Sequence, residues 1–163
     1  MLVKLNDVIE ALDEAAEECA HYLDRNTGEI VMISNEEMEA AEEDELISEY
    51  PDWQREPILK ALEVLKSENF VELPGQFDIH EYKIMEDFCL ELENRQVGEH
   101  LLRLIKGSGA FRRFKDGIYS LGIEKDWYRF RKEEIEKIAI QWLEEQKIPY
   151  TREDSTNADE TVM

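Results

Sequence analysis

Cysteine and histidine are scarce in this sequence, which limits the metal and thiol chemistry that it can support. Its 163 residues include two cysteines, Cys19 and Cys89, and three histidines. Without a Cys-x-x-Cys motif, the chain is neither a disulfide scaffold nor a zinc ribbon. Cys19 and His21 would share one face of a strand, but structural zinc sites are usually built from two closely spaced ligand pairs. We therefore predict no metal and no cofactor.

Long apolar runs and common catalytic motifs are also missing. No apolar run approaches the length of about eighteen residues that a membrane-spanning helix needs. The first residues, MLVKLNDVIEALDEAAEE, contain neither a basic stretch nor an uninterrupted apolar segment, so we expect no signal peptide and a cytoplasmic location. The patterns G-x-x-x-x-G-K-[ST], G-x-G-x-x-G and G-x-S-x-G are absent. No catalytic residue can be nominated, and the sequence favours a protein that is not an enzyme without excluding one.

Positive charge is scarce, and most of it lies in one segment. The chain has 19 Lys and Arg against 40 Asp and Glu, which gives a formal net charge of -21 at pH 7. Residues 103–137 nevertheless hold 10 of the basic residues and only 6 acidic ones. An acidic chain repels nucleic acid on average, yet an average can hide a local basic patch. Solubility alone does not require this segregation, so the segment is a candidate binding site.

The residue pattern predicts a single α+β domain over residues 1–149, mostly helical with a small N-terminal antiparallel sheet. A β-hairpin is expected near residues 20–33, with Gly28 supplying a positive φ in the turn. A third strand can follow near residues 70–73. Pro57 is expected in the first turn of its helix, where a proline is tolerated. Residues 150–163 have no periodicity and are predicted to form a polar disordered tail.

From Asp78 onward the pattern is helical. Asp78 and Glu81 have the spacing of a capping box. Ser108 is expected to cap the helix GAFRRFKDGIYSL. The other predicted helix boundaries are Asn94, Gly107, Gly122, Asp126 and Pro149.

The stretch GSGAFRRFKDGI at residues 107–118 is basic, glycine-rich and aromatic. A glycine-rich segment before a helix presents free backbone N–H groups and the positive end of the helix dipole to an anion. Arginine suits phosphate because its guanidinium donates two parallel hydrogen bonds. Phe111 and Phe114 can stack on a base if they are exposed. The predicted ligand-binding residues are Lys106, Gly107, Ser108, Gly109, Arg112, Arg113 and Lys115.

A purely structural interpretation of the same stretch stays open. Phe111, Phe114 and Ile118 have the spacing of a core-facing stripe. Arg112 can form an ordinary surface pair with Asp116 four residues later. The arginines can also clamp the acidic N-terminal half of the chain.

Three strings, GSGAFRRFKD, YKIMEDF and YLDRNTGEIV, together resemble the uncharacterised protein family 0158 of the UPF series, a family of small bacterial proteins. The resemblance covers most of residues 5–145, with G-x-G-A-F-R-R-F-K-D as its specific part, and leaves residues 150–163 outside. The family has no assigned activity. The resemblance therefore implies a bacterial cytoplasmic protein and implies no catalytic residue.

The predicted function is a non-enzymatic binding or adaptor protein. Its basic patch at residues 106–115 would bind an anionic ligand, which can be RNA, a nucleotide or an acidic protein, and no membrane is involved. One alternative is an enzyme that acts on a phosphorylated small molecule at the same Gly-Ser-Gly helix N-terminus. Another is a structural partner that docks through its acidic face at residues 36–49. The oligomeric state is not predicted.

Overall fold

The computed structural model describes residues 2–43 and 49–152, and the chain forms two compact units. Unit 1 comprises residues 1–78 and 138–163, and unit 2 comprises residues 79–137. The predicted α+β class is confirmed, because helices dominate and a small antiparallel sheet lies in the N-terminal half. The single domain over residues 1–149 stays a prediction.

The sheet of unit 1 contains the predicted hairpin and the predicted third strand. Three strands, β2 (Cys19–Asp24), β3 (Ile30–Ser34) and β4 (Phe70–Glu72), pair antiparallel in the order β3-β2-β4. Gly28 has a φ of +80° in the turn, as expected. Its N–H donates to the carbonyl oxygen of Asp24 at 2.8 Å, which closes the hairpin.

Different helices of unit 1 cover the two faces of this sheet. On one face, Ile33 packs with Ala41 of α2 (Asn35–Glu42) and Val64 of α3 (Asp52–Lys66). Successive side chains of a strand point to opposite faces. Ile33 is paired with Ala20 on β2, so the next residue, His21, points to the other face, and so does Leu23. On that face β3 contacts α1 (Leu5–Asp13).

Two helices of unit 1, α2 and α3, differ in how their first turns are stabilised. Ser34 caps α2: its Oγ accepts from the N–H of Glu37 at 3.1 Å, and the Glu37 carboxylate accepts from the N–H of Ser34 at 3.2 Å. Pro57 is the sixth residue of α3, further into the helix than its expected place in the first turn. Its missing N–H leaves the carbonyl of Trp53 without a helical partner. Because Trp53 is exposed, water can solvate that carbonyl.

A second, two-stranded pairing corrects the start of the predicted tail. Val3 of β1 (Val3–Lys4) lies opposite Tyr150 of β5 (Tyr150–Thr151) in a parallel pair. Tyr150 and Thr151 are therefore part of a strand. The physical reason is that the backbone groups of β1 need hydrogen-bond partners. The rest of the predicted tail from residue 153, and residues 44–48 of the predicted acidic face, lie outside the described residues.

Unit 2 is helical, as the sequence predicts. The Asn94 side chain caps its second long helix, accepting from the N–H groups of Gln96 at 3.1 Å and Val97 at 3.2 Å. Gly122, with a φ of +69°, ends the third. The helices are α5 (Glu81–Glu91), α6 (Arg95–Leu104), α7 (Ala110–Leu121) and the first part of α8 (Glu124–Glu145), whose last part belongs to unit 1; the short α4 (Gln76–Ile79) precedes them.

The predicted capping box at the start of α5 is wrong. The residue before α5 is His80, which has a φ of +57° and makes no side-chain capping bond. Asp78 instead accepts from the N–H of Gly75 at 2.8 Å. The Glu81 carboxylate accepts from Nε of Arg131 at 2.9 Å, fifty residues along the chain. The Glu81 carboxylate therefore forms a tertiary ion pair with Arg131 and does not make the N-capping contact that the local spacing predicts.

Aromatic rings form the core of unit 2. The ring centroids of Phe88 and Phe114 lie 6.2 Å apart, and that of Trp127 lies 5.4 Å from Phe88 and 4.8 Å from Phe114. All three pairs meet edge to face, which is a preferred geometry for aromatic rings. Phe114 is completely buried. The side chain of Phe114 is therefore part of the core and is not free to stack on a base.

Candidate functional site

Arg113 fastens the loop of residues 105–109, which connects α6 to α7. Its guanidinium donates three hydrogen bonds to backbone carbonyl oxygens, those of Leu104 at 2.7 Å, Lys106 at 2.6 Å and Ser108 at 2.6 Å. The carbonyl groups at a helix C-terminus lack helical partners and carry the negative end of the helix dipole. The cation of Arg113 supplies both a donor and a complementary charge at the end of α6.

The glycines of this loop have a structural role as well. Gly107 and Gly109 have φ values of +81° and +79°, a left-handed conformation that side chains disfavour. Gly109 is the residue before α7, and no side chain caps this helix. The predicted N-cap role of Ser108 is therefore wrong, because the Arg113 contacts fix the path of the loop. Gly107, Ser108 and Gly109 are exposed.

The Arg113→Ala change is expected to destabilise unit 2. Hydrogen bonds to a charged group contribute about 1.5–3 kcal/mol each, but water can replace part of them in an exposed loop, so we expect a total loss of about 2 kcal/mol. Arg113→Lys should recover only part of it, because an ammonium lacks the planar fork of a guanidinium. Arg112→Ala on the neighbouring residue is the control and should leave stability unchanged in chemical denaturation. Equal stability of all three variants would contradict the role assigned to Arg113.

The exposed side of α7 combines aromatic and basic side chains. Phe111 is 51% exposed and Tyr119 is 75% exposed. With the exposed Lys115 they follow an i, i+4, i+8 spacing, which places all three on one face of the helix. Arg112 is exposed beside them. We call the set Phe111, Arg112, Lys115 and Tyr119 the α7 face.

The α7 face contains two predicted site residues, Arg112 and Lys115, and one residue that the sequence interpretation missed. Tyr119 was not singled out, although its spacing from Lys115 was a signal that it shares the face. Phe111 was assigned to the core by the structural interpretation, but it is exposed. Lys106 is exposed and precedes α7 by four residues in the loop.

The cations of the α7 face lack acidic partners within the part of the chain that the structure describes. Neither Arg112 nor Lys115 forms an ion pair or a hydrogen bond there, and the expected pair between Arg112 and Asp116 does not form among these residues. Other cations of unit 2 are engaged: Arg131 with Glu81, Lys137 with Glu134 at 3.1 Å, and Lys83 with Asp87 at 3.3 Å.

Unit 2 also differs from the rest of the chain in charge. Residues 79–137 hold twelve lysines and arginines and twelve aspartates and glutamates, so the whole net charge of -21 comes from the other residues. A chain with this distribution repels polyanions on average and attracts them only locally. The α7 face therefore lies in the one unit whose charge is balanced.

Other chemistry in unit 2 has little support. Burial raises the pKa of the Cys89 thiol to about 11, so this thiol is protonated and unreactive at neutral pH. A cavity of about 250 Å³ is lined by Phe88, Glu91, Leu92, Asp126, Arg129, Phe130 and Glu133, and so by none of the predicted site residues. Within residues 2–43 and 49–152, no group of three or more His, Cys, Asp or Glu side chains has the arrangement of a metal site.

Comparison with known proteins gives the family. The family model described as "Uncharacterised protein family (UPF0158)" matches residues 1–163. The chain belongs to the UPF0158 family. The resemblance predicted from the sequence is therefore confirmed, and its extent is corrected, because residues 150–163 lie inside the match.

A second UPF0158 protein is similar over nearly its whole length. The "UPF0158 protein PA5073" of Pseudomonas aeruginosa (strain PAO1) is 26% identical over 159 residues, which cover 96% of this chain and 92% of the relative. No solved structure matches the chain. Among the described residues, no helix has both the length and the apolar character needed to cross a membrane. The UPF0158 description assigns no activity.

Proposed function

We propose that this UPF0158 protein is a binding protein that holds an anionic ligand on the α7 face, and that this ligand is single-stranded RNA. The observation that carries the proposal is the pairing of two unengaged cations, Arg112 and Lys115, with two exposed rings, Phe111 and Tyr119. Exposed aromatic side chains interleaved with cations are typical of surfaces that bind unpaired nucleotides.

The rings favour one of the three predicted classes of anionic ligand. An acidic protein pairs its carboxylates with the cations and uses the rings only if it also presents apolar surface. A single nucleotide is usually held in a concave pocket, whereas the α7 face is the outer side of a helix. A single RNA strand needs phosphate contacts and flat surfaces on which unstacked bases can lie. The α7 face offers both.

Each residue of the site has a separate role in this proposal. The Arg112 guanidinium pairs with a phosphate through two parallel hydrogen bonds, and Lys115 adds a point charge. Phe111 and Tyr119 stack on bases, each contributing about 1–3 kcal/mol. Arg113, whose guanidinium is bonded to three carbonyls, positions the loop and does not contact the RNA.

The acidic charge of the rest of the chain affects the range and the strength of RNA binding. The net charge of -21 repels long polyanions at a distance. Binding then depends on the few cations of the α7 face at short range and weakens as salt rises. We therefore expect weak, salt-sensitive binding of short unpaired segments and no binding of duplexes, whose bases are already stacked.

The test is a purification of the tagged protein from its own cells at low salt. The wild type is expected to co-purify with RNA, and the Arg112→Ala/Lys115→Ala variant is expected to lose it. Lys125→Ala/Lys132→Ala is the matched control, because it removes the same charge from exposed positions of unit 2 outside the α7 face. Circular dichroism and thermal melting should be the same for all three proteins. RNA recovery that falls equally in both variants, or that is absent from the wild type, would contradict the proposal.

A further inference from the structure

A second candidate site lies in unit 1, between α1 and the hairpin of β2 and β3. The groove there has a volume of about 380 Å³. Asp7 and Glu10 belong to α1, Glu14 is the residue that directly follows α1, and Glu29 comes from the turn region of the hairpin. We call it the acidic groove. Its other lining residues are Ala11, His21, Gly28, Ile30 and Met32.

The carboxylates of the acidic groove are not neutralised. Over the described stretches of the chain, none of the four forms an ion pair, and the Glu10 carboxylate accepts a hydrogen bond only from the Asn6 amide, at 3.2 Å. Asp7, Glu10 and Glu14 have an i, i+3, i+7 spacing, and the C-cap Glu14 keeps a helical backbone conformation, so the three side chains follow one face of α1 and its C-cap. At a rise of 1.5 Å per residue, this row of charge extends over roughly 10 Å.

The position of His21 is a second indication that the acidic groove binds a ligand. Its side chain is only 8% exposed, and it lines the groove from β2. No hydrogen bond to the imidazole forms within the described residues. Burial lowers the pKa of His21, against the opposing effect of the Glu14 charge, so the ring is neutral at neutral pH. Among the described residues no side-chain nitrogen is both enclosed and without a partner, so the imidazole nitrogens reach solvent. Because His21 lines the groove, a ligand there can donate a hydrogen bond to the ring.

The groove also offers apolar surface between its charges. Ala11 of α1 and Ile30 and Met32 of β3 line it, and Met32 is 61% exposed. Met32 lies directly opposite His21 in the hairpin. An alkyl chain can lie over these side chains while charged groups at intervals along it meet the carboxylates.

We infer that the acidic groove binds a linear alkyl polyamine, whose ammonium groups pair with Asp7, Glu10, Glu14 and Glu29 and donate a hydrogen bond to the imidazole of His21. A metal ion fits less well, because no group of three or more His, Cys, Asp or Glu side chains is arranged to hold one in the described ranges. A row of separate carboxylates matches a ligand whose positive charges are spread along a chain. The site lies in unit 1 and does not depend on the RNA-binding proposal.

The test is a calorimetric titration of the full protein with spermidine at physiological ionic strength. The variant Glu10→Gln/Glu14→Gln keeps the shape of the side chains and removes two charges of the groove. Its matched control is Glu36→Gln/Glu42→Gln, which removes two exposed charges of α2 outside the groove. We expect the groove variant to bind about tenfold more weakly, which corresponds to about 1.4 kcal/mol, while the control changes less than about twofold.

The histidine NMR signals give a second, local measurement. The chain has three histidines, His21 in unit 1 and His80 and His100 in unit 2. Spermidine should shift the imidazole signal of His21, assigned by its loss in a His21→Asn variant, and leave the other two in place. Equal weakening in the two double variants, an unmoved His21 signal, or binding of a lysine-rich peptide without binding of spermidine would each overturn the inference.

Discussion

Replacing Phe114 by alanine is expected to lower the free energy of unfolding by about 3–5 kcal/mol, the usual cost of truncating a buried aromatic residue. Phe114 is completely buried and packs edge to face against Phe88 and Trp127. The substitution removes the buried ring and both aromatic contacts, and the cavity that remains cannot close fully. The loss is a large fraction of the stability of about 5–15 kcal/mol that is typical of a folded protein.

The matched control is Phe111→Ala, three residues earlier on the same helix. Phe111 is half exposed, so its loss should change the free energy of unfolding by less than about 0.5 kcal/mol, as surface substitutions usually do. Chemical denaturation followed by circular dichroism measures both variants. If Phe111→Ala destabilised the protein as much as Phe114→Ala, Phe111 would be a core residue and could not serve as a stacking surface.

The Gly98→Ala change is expected to have the next largest effect. Alanine is normally the more stable residue inside a helix, by up to about 1 kcal/mol. Here, however, a Cβ at position 98 would lie 2.4 Å from the carbonyl oxygen of Cys89, which is backbone of the adjacent helix α5. Helices α5 and α6 would have to move apart. Since overpacking costs about 1–3 kcal/mol and occasionally more, we expect a net loss of about 2 kcal/mol.

Gly117→Ala is the control for Gly98→Ala, because its Cβ would meet side chains and not backbone. A Cβ there would lie 2.7 Å from Cδ1 of Leu104 and 3.1 Å from Cδ2 of Leu101, which are the ends of rotatable side chains. It should therefore cost clearly less than Gly98→Ala. The thermal midpoints of the two variants give the comparison. A Gly98→Ala protein as stable as the wild type would contradict the close approach of α5 and α6.

Local sequence patterns predicted the features that depend on local contacts. The turn glycine of the hairpin, Gly28, and the Asn94 cap were identified because the interacting groups are two to four residues apart. The same kind of pattern failed at Asp78 and Ser108. Glu81 is paired with Arg131 fifty residues away, and the loop at Ser108 is set by the Arg113 side chain. The pair of Glu81 and Arg131 is too distant in sequence to show as a local spacing, and the Arg113 contacts go to backbone carbonyl groups, which every residue has.

The sequence was enough to locate the candidate site, but it did not show which residues are exposed for binding and which stabilise the fold. Charge segregation and the unusual composition of residues 107–118 pointed to the right segment. Periodicity could not tell the exposed Phe111 from the buried Phe114, because both fit a core-facing stripe near a helix start. Arg112 and Arg113 are adjacent and chemically identical in sequence. Only the path of the 105–109 loop shows that one guanidinium is bonded to the backbone while the other is exposed.

The most direct test of the account is the salt dependence of binding to a fluorescent single-stranded RNA, measured by anisotropy. Each phosphate contact contributes about 0.7 to the slope of log K against log salt for a single strand. The wild type should bind, Arg112→Ala/Lys115→Ala should lower the slope by about 1.4, and Lys125→Ala/Lys132→Ala should leave it unchanged. Phe111→Ala/Tyr119→Ala should weaken binding at every salt concentration with the slope preserved. Failure of the wild type to bind, or the same slope in all variants, would contradict the assignment of the α7 face as an RNA-binding surface.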